Sequence, residues 1–254
     1  MSRPLCGPLR RGLAVGVAAR RGYAAVWKAD ALAVIDGARH TLWTVVSDIP
    51  GASDMAVGDE HICVTATRSN ELVLVDRRNC AIMRRMPVGE ALYAVTCDRG
   101  WHRVYVGNAG DRTISVVDAD GSGLARTEEL GGLGHPPNLT LDPVRDRLYV
   151  SFALSPKHGA GAALEGSSET ILTRLVGTQA HPLFGAYGIA ADPLRVLVYV
   201  TTVDGILVLA GETLGVTGRT RRVGPVYACG MCVDPVRKKL YVADGRDGSL
   251  DVVG

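Results

Sequence analysis

Leu139-Thr140-Leu141-Asp142-Pro143-Val144-Arg145-Asp146-Arg147-Leu148-Tyr149-Val150 decides the fold, because the pattern recurs twice more in the same chain. It returns as Ile189-Ala190-Ala191-Asp192-Pro193-Leu194-Arg195-Val196-Leu197-Val198-Tyr199-Val200, and as Met231-Cys232-Val233-Asp234-Pro235-Val236-Arg237-Lys238-Lys239-Leu240-Tyr241-Val242. Each copy is an apolar run, an Asp-Pro-X-Arg hinge and a second apolar run that closes on Tyr-Val. Proline presets φ at the hinge and the Asp carboxylate bonds the backbone two residues on, which is a type I turn. Each copy therefore reads as two antiparallel strands, A and B.

Anchoring on the Tyr-Val pair extends the repeat through the chain. Equivalent positions are Tyr23, Cys63, Tyr105, Tyr149, Tyr199 and Tyr241, at intervals of 40, 42, 44, 50 and 42 residues. A third strand, C, follows most anchors, as in 32–36, 72–76, 114–118 and 250–253. A less regular fourth strand, D, comes next at 41–46 and 81–88. All-strand units of about 40 residues predict a β-propeller. The expected fold is all-β: one domain over 1–254, with six blades of four antiparallel strands. The last unit has no D strand, so residues 1–11 are expected to supply its outer strand. That strand would close the ring and remove an exposed sheet edge.

Composition excludes several classes. The net charge of +2 leaves no basic field for nucleic acid, and no apolar run approaches the length of a membrane span. The six cysteines read as buried thiols in a reducing compartment, since a core of this size needs no disulfides. Residues 1–29 carry six Lys or Arg and no acid, as a transit peptide or twin-arginine signal would. The apolar stretch 12–19 nevertheless fits the repeat, so a cytoplasmic location is expected, with organelle targeting or export as the alternative.

Tyr105-Val106-Gly107-Asn108, followed by Thr113-Ile114-Ser115-Val116-Val117-Asp118, resembles the YVTN group of β-propeller repeats. Tyr241-Val242-Ala243-Asp244 and Tyr199-Val200-Thr201-Thr202 are fainter copies. The resemblance implies fold rather than activity. Related six-bladed propellers include calcium-dependent lactonases and strictosidine-synthase-like enzymes. In the lactonases a Glu, two Asn and an Asp converge on a metal. By that resemblance Asn108, Asn138, Asp54 and Asp244 would be candidates for such a set, but no Glu stands at a matching inner-strand start.

In a propeller the D-to-A and B-to-C connections share the face around the central channel mouth, and the A-to-B and C-to-D turns share the other. The channel-mouth face then gathers the candidate site. His135, His181 and Tyr187 are the catalytic candidates, with His moving protons near neutral pH. Tyr93, Asn138, Tyr227, Cys229 and His158 are the ligand-binding candidates. Residues 152–170, with Lys157, His158, Glu165 and Glu169 among Gly, Ala and Ser, read as one long B-to-C loop that acts as a lid or as a plain insertion. Cys229-Gly230-Met231-Cys232 is a CxxC without a second ligand pair, so a structural role is expected and no metal is assigned.

Two functions remain open. One is a small organic ligand at the channel mouth, with lyase, isomerase or hydrolase chemistry. The other is a non-catalytic module that offers its surface to a protein partner, and a bound divalent metal would revive the lactonase-like reading. No cofactor is expected, and the chain is expected to be a monomer.

Overall fold

The computed structural model describes residues 10–16, 20–98, 102–118, 120, 122–129, 135–155, 158–166, 170–176, 186, 188–202, 205–220, 230–243 and 250–253. These residues are all-β, arranged in small antiparallel sheets, and they divide between two compact units, Met1–Thr127 and Glu128–Gly254.

The first unit holds three four-stranded sheets. Strands β1 (Arg10–Gly16), β2 (Arg21–Val26), β3 (Ala31–Asp36) and β4 (Thr41–Val46) form the first. Strands β5 (Ala52–Val57), β6 (His61–Ala66), β7 (Glu71–Asp76) and β8 (Ile82–Pro87) form the second. The third comprises β9 (Leu92–Asp98), β10 (Arg103–Asn108), β11 (Thr113–Asp118) and β12 (Leu124–Glu129). In the second unit, β13 (His135–Asp142), β14 (Arg147–Ser155), β15 (His158–Glu165) and β16 (Ile171–Val176) make one sheet. Strands β17 (Ile189–Asp192), β18 (Leu197–Thr202), β19 (Gly205–Ala210) and β20 (Val216–Thr220) make the next. The last is three-stranded: β21 (Gly230–Asp234), β22 (Lys239–Ala243) and β23 (Leu250–Val253). Sequence order matches spatial order in every sheet, as strands A to D require.

Burial explains why the middle strands are continuously apolar. Tyr23, Ile62, Val64, Val73 and Val75 pack with Ile49 and Met55 between the first two sheets. Leu72, Leu74, Leu92, Val104 and Val106 pack between the second and third. The second unit repeats this with Tyr149, Ile189, Val198 and Leu209, and with Tyr199, Ile206, Leu240 and Val242. Strands B and C are covered on both faces, so they lose the alternation of a half-solvated strand. The anchors Tyr23, Cys63, Tyr105, Tyr149 and Tyr199 are all buried.

The Asp-Pro-X-Arg turns behave as their chemistry requires. Asp142 Oδ1 accepts the N–H groups of Val144 and Arg145 at 3.0 and 3.2 Å, and Asp192 and Asp234 repeat the pattern. Arg145 then reaches across to donate to the Pro193 carbonyl at 2.7 Å, joining two consecutive turns. Turns A–B and C–D of one sheet lie against each other: Gly37 N–H donates to Arg20 O, Arg77 to Glu60 O, Gly166 to Asp146 O and Gly211 to Val196 O, at 2.7–2.9 Å. The carbonyl residue of that latch takes a left-handed conformation at Arg20, Asp146 and Val196, with φ of 48, 52 and 57°.

The 152–170 segment departs from expectation. It is not a long loop: β14 runs on to Ser155 and β15 starts at His158, with Phe152 opposite Ala160 and Ser155 opposite His158. Gly and Ala hid β15 because small side chains carry little β signal, yet Ala162, Ala163 and Leu164 are each 1% exposed. Of the segment 1–11 expected to close the ring, residues 10 and 11 instead open β1, the A strand of the first sheet, and residues 1–9 lie outside the described residues. The thiols also divide: Cys63 and Cys80 are buried, Cys97 is half-buried and Cys232 is exposed, all four unbridged.

Candidate functional site

Three of the predicted site residues, Tyr93, His135 and Asn138, lie near the start of strand A of their own sheets, where several sheets carry the same irregularity. The register of strand A against strand B shifts between Ala52 and Met55 in β5, at Tyr93 in β9 and between His135 and Asn138 in β13. A bulge puts an extra residue into one strand and re-aims its side chains. Tyr93 is half-buried at such a bulge. Asn138 pairs with Ser151, is half-buried, and turns its Oδ1 back onto the Leu139 N–H at 2.9 Å. His135 opens β13 opposite Ala153, and His158 opens β15 opposite Ser155. His181, Tyr187, Tyr227 and Cys229 lie outside the described residues, as do Lys157, Glu169 and Asp244.

Two polar clusters in the first unit surround Asp54 and Asn108, which the lactonase resemblance named, with partners that were not legible in sequence. In one, the buried Ser53 hydroxyl lies 2.8 Å from both Thr65 Oγ1 and Thr67 Oγ1 and donates to the Leu92 carbonyl. Beside it on β5, Asp54 accepts the Val95 N–H of β9 at 3.0 Å through Oδ2. Asp54 keeps some accessible surface, yet protein surrounds it closely. Burial pushes its carboxyl up to about 7 against the opposing pull of the Val95 and Met55 backbone N–H groups. A carboxyl at that level holds and releases a proton near neutrality.

The other cluster centres on Asn108. This residue is fully buried, and its amide donates to Thr113 Oγ1 at 2.9 Å and to Ser115 Oγ at 2.8 Å, while its Oδ1 has no partner. Thr113 passes the network to Asp111, whose Oδ2 accepts the Glu90 N–H at 3.1 Å. The asparagine of the YVTN-like motif thus ties the B–C connection to the incoming D–A loop. Gly89 allows the approach, since a Cβ there would lie 2.4 Å from the Asn108 amide. A similar clamp joins the first two sheets: Arg68 pairs with Asp30 at 2.8 Å and donates to the Trp27 carbonyl at 2.8 Å.

Among the described residues no three His, Cys, Asp or Glu side chains gather as a metal site, and no helix is long and apolar enough to cross a membrane. An apolar void of about 10 Å³ between the fourth and fifth sheets, lined by Val150, Ala162, Ile189 and Leu209 among others, is too small for an organic ligand.

The tips of the Asp-Pro-X-Arg turns are the opposite of enclosed. Val144, Leu194 and Val236 are 71, 67 and 81% exposed, one on each sheet of the second unit. The corresponding positions of the first unit carry Ala18, Gly58 and Gly100.

No protein-family model matches the chain, and no curated protein matches it. Many solved structures share its fold, among them two that cover nearly all of this chain. Hydrazine synthase from Kuenenia stuttgartiensis aligns over 97% of this chain and 95% of its own, with a TM-score of 0.69 and 13% identity. A chain in the crystal structure of the mitotic checkpoint complex aligns over 94% of this chain and 74% of its own, with a TM-score of 0.77 and 10% identity. Both are β-propeller-type folds, and at these identities the likeness speaks to fold alone.

Proposed function

We propose that this chain is a non-catalytic β-propeller interaction module, whose A–B turns in the second unit present an apolar row to a protein partner. The carrying observation is the exposure of Val144, Leu194 and Val236. An aliphatic side chain at a turn tip contributes nothing to the core, and three at one repeat position are more than scatter. The Arg145–Pro193 bond holds two of these turns side by side, so part of the row is ordered before a partner arrives. That a structural relative is a chain of the mitotic checkpoint complex supports an assembly role. In this reading the six sheets are blades of one ring, and the residues ahead of β1 pair beside β23. Replacing Val144, Leu194 and Val236 together by Ser should leave the unfolding midpoint in place and abolish co-purification of the partner. Unchanged partner recovery would refute the reading.

Asp54 favours a second reading. A carboxyl poised near 7 on an inner strand suits a small organic ligand at the channel mouth, with Tyr93, Asn138, Tyr227, Cys229 and His158 binding it and His135, His181 and Tyr187 carrying any chemistry. A ligand whose affinity is the same in wild type and in Asp54→Asn would count against it.

A further inference from the structure

We propose that the outer edge of β4 is a self-association surface, through which two copies of this chain pair antiparallel about a two-fold axis. The outermost strand of a sheet presents unpaired N–H and C=O groups, and proteins blunt such edges with charged side chains, proline or bulges. Most described outer strands here combine these devices. Strand β8 carries Arg84, Arg85 and Pro87, β12 carries Arg126, Glu128 and Glu129, β16 carries Arg174, and β20 carries Arg219. Strand β4, Thr41-Leu42-Trp43-Thr44-Val45-Val46, has no charge and no proline. It keeps only the bulge, at Trp43, that β8, β16 and β20 share.

Its side chains are also left uncovered. Leu42, Trp43 and Val45 are 45–46% exposed, and the Arg21 guanidinium stacks 3.7 Å from the Trp43 ring centroid, which fixes that ring against the sheet. β-branched and aromatic residues on a free edge are the composition that pairs with another strand.

The charges at the two ends of β4 select a second copy as the occupant. Arg39 and His40 stand at its entrance and Asp48 just past its exit. Two-fold antiparallel pairing lays the cationic entrance of one strand beside the anionic exit of the other, and does so twice. Arg39 and Asp48 have side chains 81 and 82% exposed, so both are within reach, although Arg39 is ion-paired with Asp36 at 3.1 Å and Asp48 with Arg85 at 2.8 Å, pairs that the second copy must share. With Thr44 on the axis, Trp43 of each copy faces Val45 of the other, giving two aromatic–β-branched cross-strand pairs. An acidic or a basic partner strand would meet the wrong sign at one end. Closure about a two-fold axis uses the edge completely and stops at two chains. A six-residue strand buries less than a standard interface, so the dimer is weak, with a dissociation constant in the micromolar range or above.

Sedimentation velocity of the full chain from about 1 to about 300 μM tests this. Wild type should shift from monomer to dimer over that range, and Val45→Thr should follow it within a few-fold. Val45→Lys, at an exposed site, should weaken dimerisation by at least about tenfold with an unchanged unfolding midpoint. Thr41→Lys repeats the comparison if Val45→Lys fails to fold. A wild type that stays monomeric throughout overturns the proposal. So do lysine variants that dimerise as wild type does, and species larger than two.

Discussion

Replacing Asp54 by Asn should remove a defined part of the pH dependence of stability. The carboxyl stands at about 7 instead of 3.8, so the folded chain binds a proton there that the unfolded chain has already released. The stabilising contribution is complete below the unfolded value and is lost as pH rises through 7, because the ionised form must then be held where water is scarce. The rise from 3.8 to about 7 sets a ceiling of about 4 kcal/mol, and the accessible surface that Asp54 retains lowers the expected amount to about 1–3 kcal/mol. Asn is close in shape, offers its Oδ1 to the Val95 N–H, and needs no proton to be neutral. Urea unfolding of both proteins at pH 5, 6, 7 and 8 reads the effect as the difference between them. Part of that loss is complete by pH 5, so the variant should gain about 0.5–2 kcal/mol on wild type between pH 5 and pH 8. The comparison cancels every other titrating group, including Asp36, Asp76 and Asp234, whose carboxyls are held below the usual range by backbone N–H groups of their own turns. Parallel curves would refute the account of Asp54.

Three further substitutions probe packing and backbone. Tyr149→Phe deletes the hydroxyl that donates to the Gly211 carbonyl at 2.8 Å, which should cost about 1–2 kcal/mol in chemical denaturation. Gly89→Ala drives a Cβ into the Asn108 amide and the Asp111 carboxylate, and the expected loss is about 2–4 kcal/mol in the same assay. Val196→Asn acts the other way. Its φ of 57° strains a β-branched residue, and Asn tolerates that region, so a gain of about 0.5–1 kcal/mol is expected as a raised thermal midpoint.

The repeat was legible because it is written in local rules. Asp-Pro-X-Arg encodes a turn without reference to the rest of the molecule, and the apolar runs around Tyr105, Tyr149 and Tyr199 announce strands covered on both faces. The hairpin through Phe152 and His158 was illegible because its second strand is built largely from Gly and Ala, whose value lies in allowing close packing. Asn108 was recognised by its motif, but its role required partners brought in from Thr113, Ser115 and the 89–90 loop. Asp54 is the clearest case of information absent from sequence. Its poise near neutrality comes from burial by the folded chain, against the pull of the Val95 N–H on β9, a strand some 40 residues on, and no local pattern marks it. The turn-tip residues Val144, Leu194 and Val236 stood in plain view within the quoted copies. They read as filler between Pro and Arg until their exposure was known.

The interaction role rests on those three side chains, and site-specific photocrosslinking tests it most directly. A photoreactive residue at 144, 194 or 236 should give one discrete adduct of common mass in the native cell extract. The same group at Thr217, exposed on the outer strand β20, should give none. No adduct at the turns, or equal labelling at 217, would contradict the account.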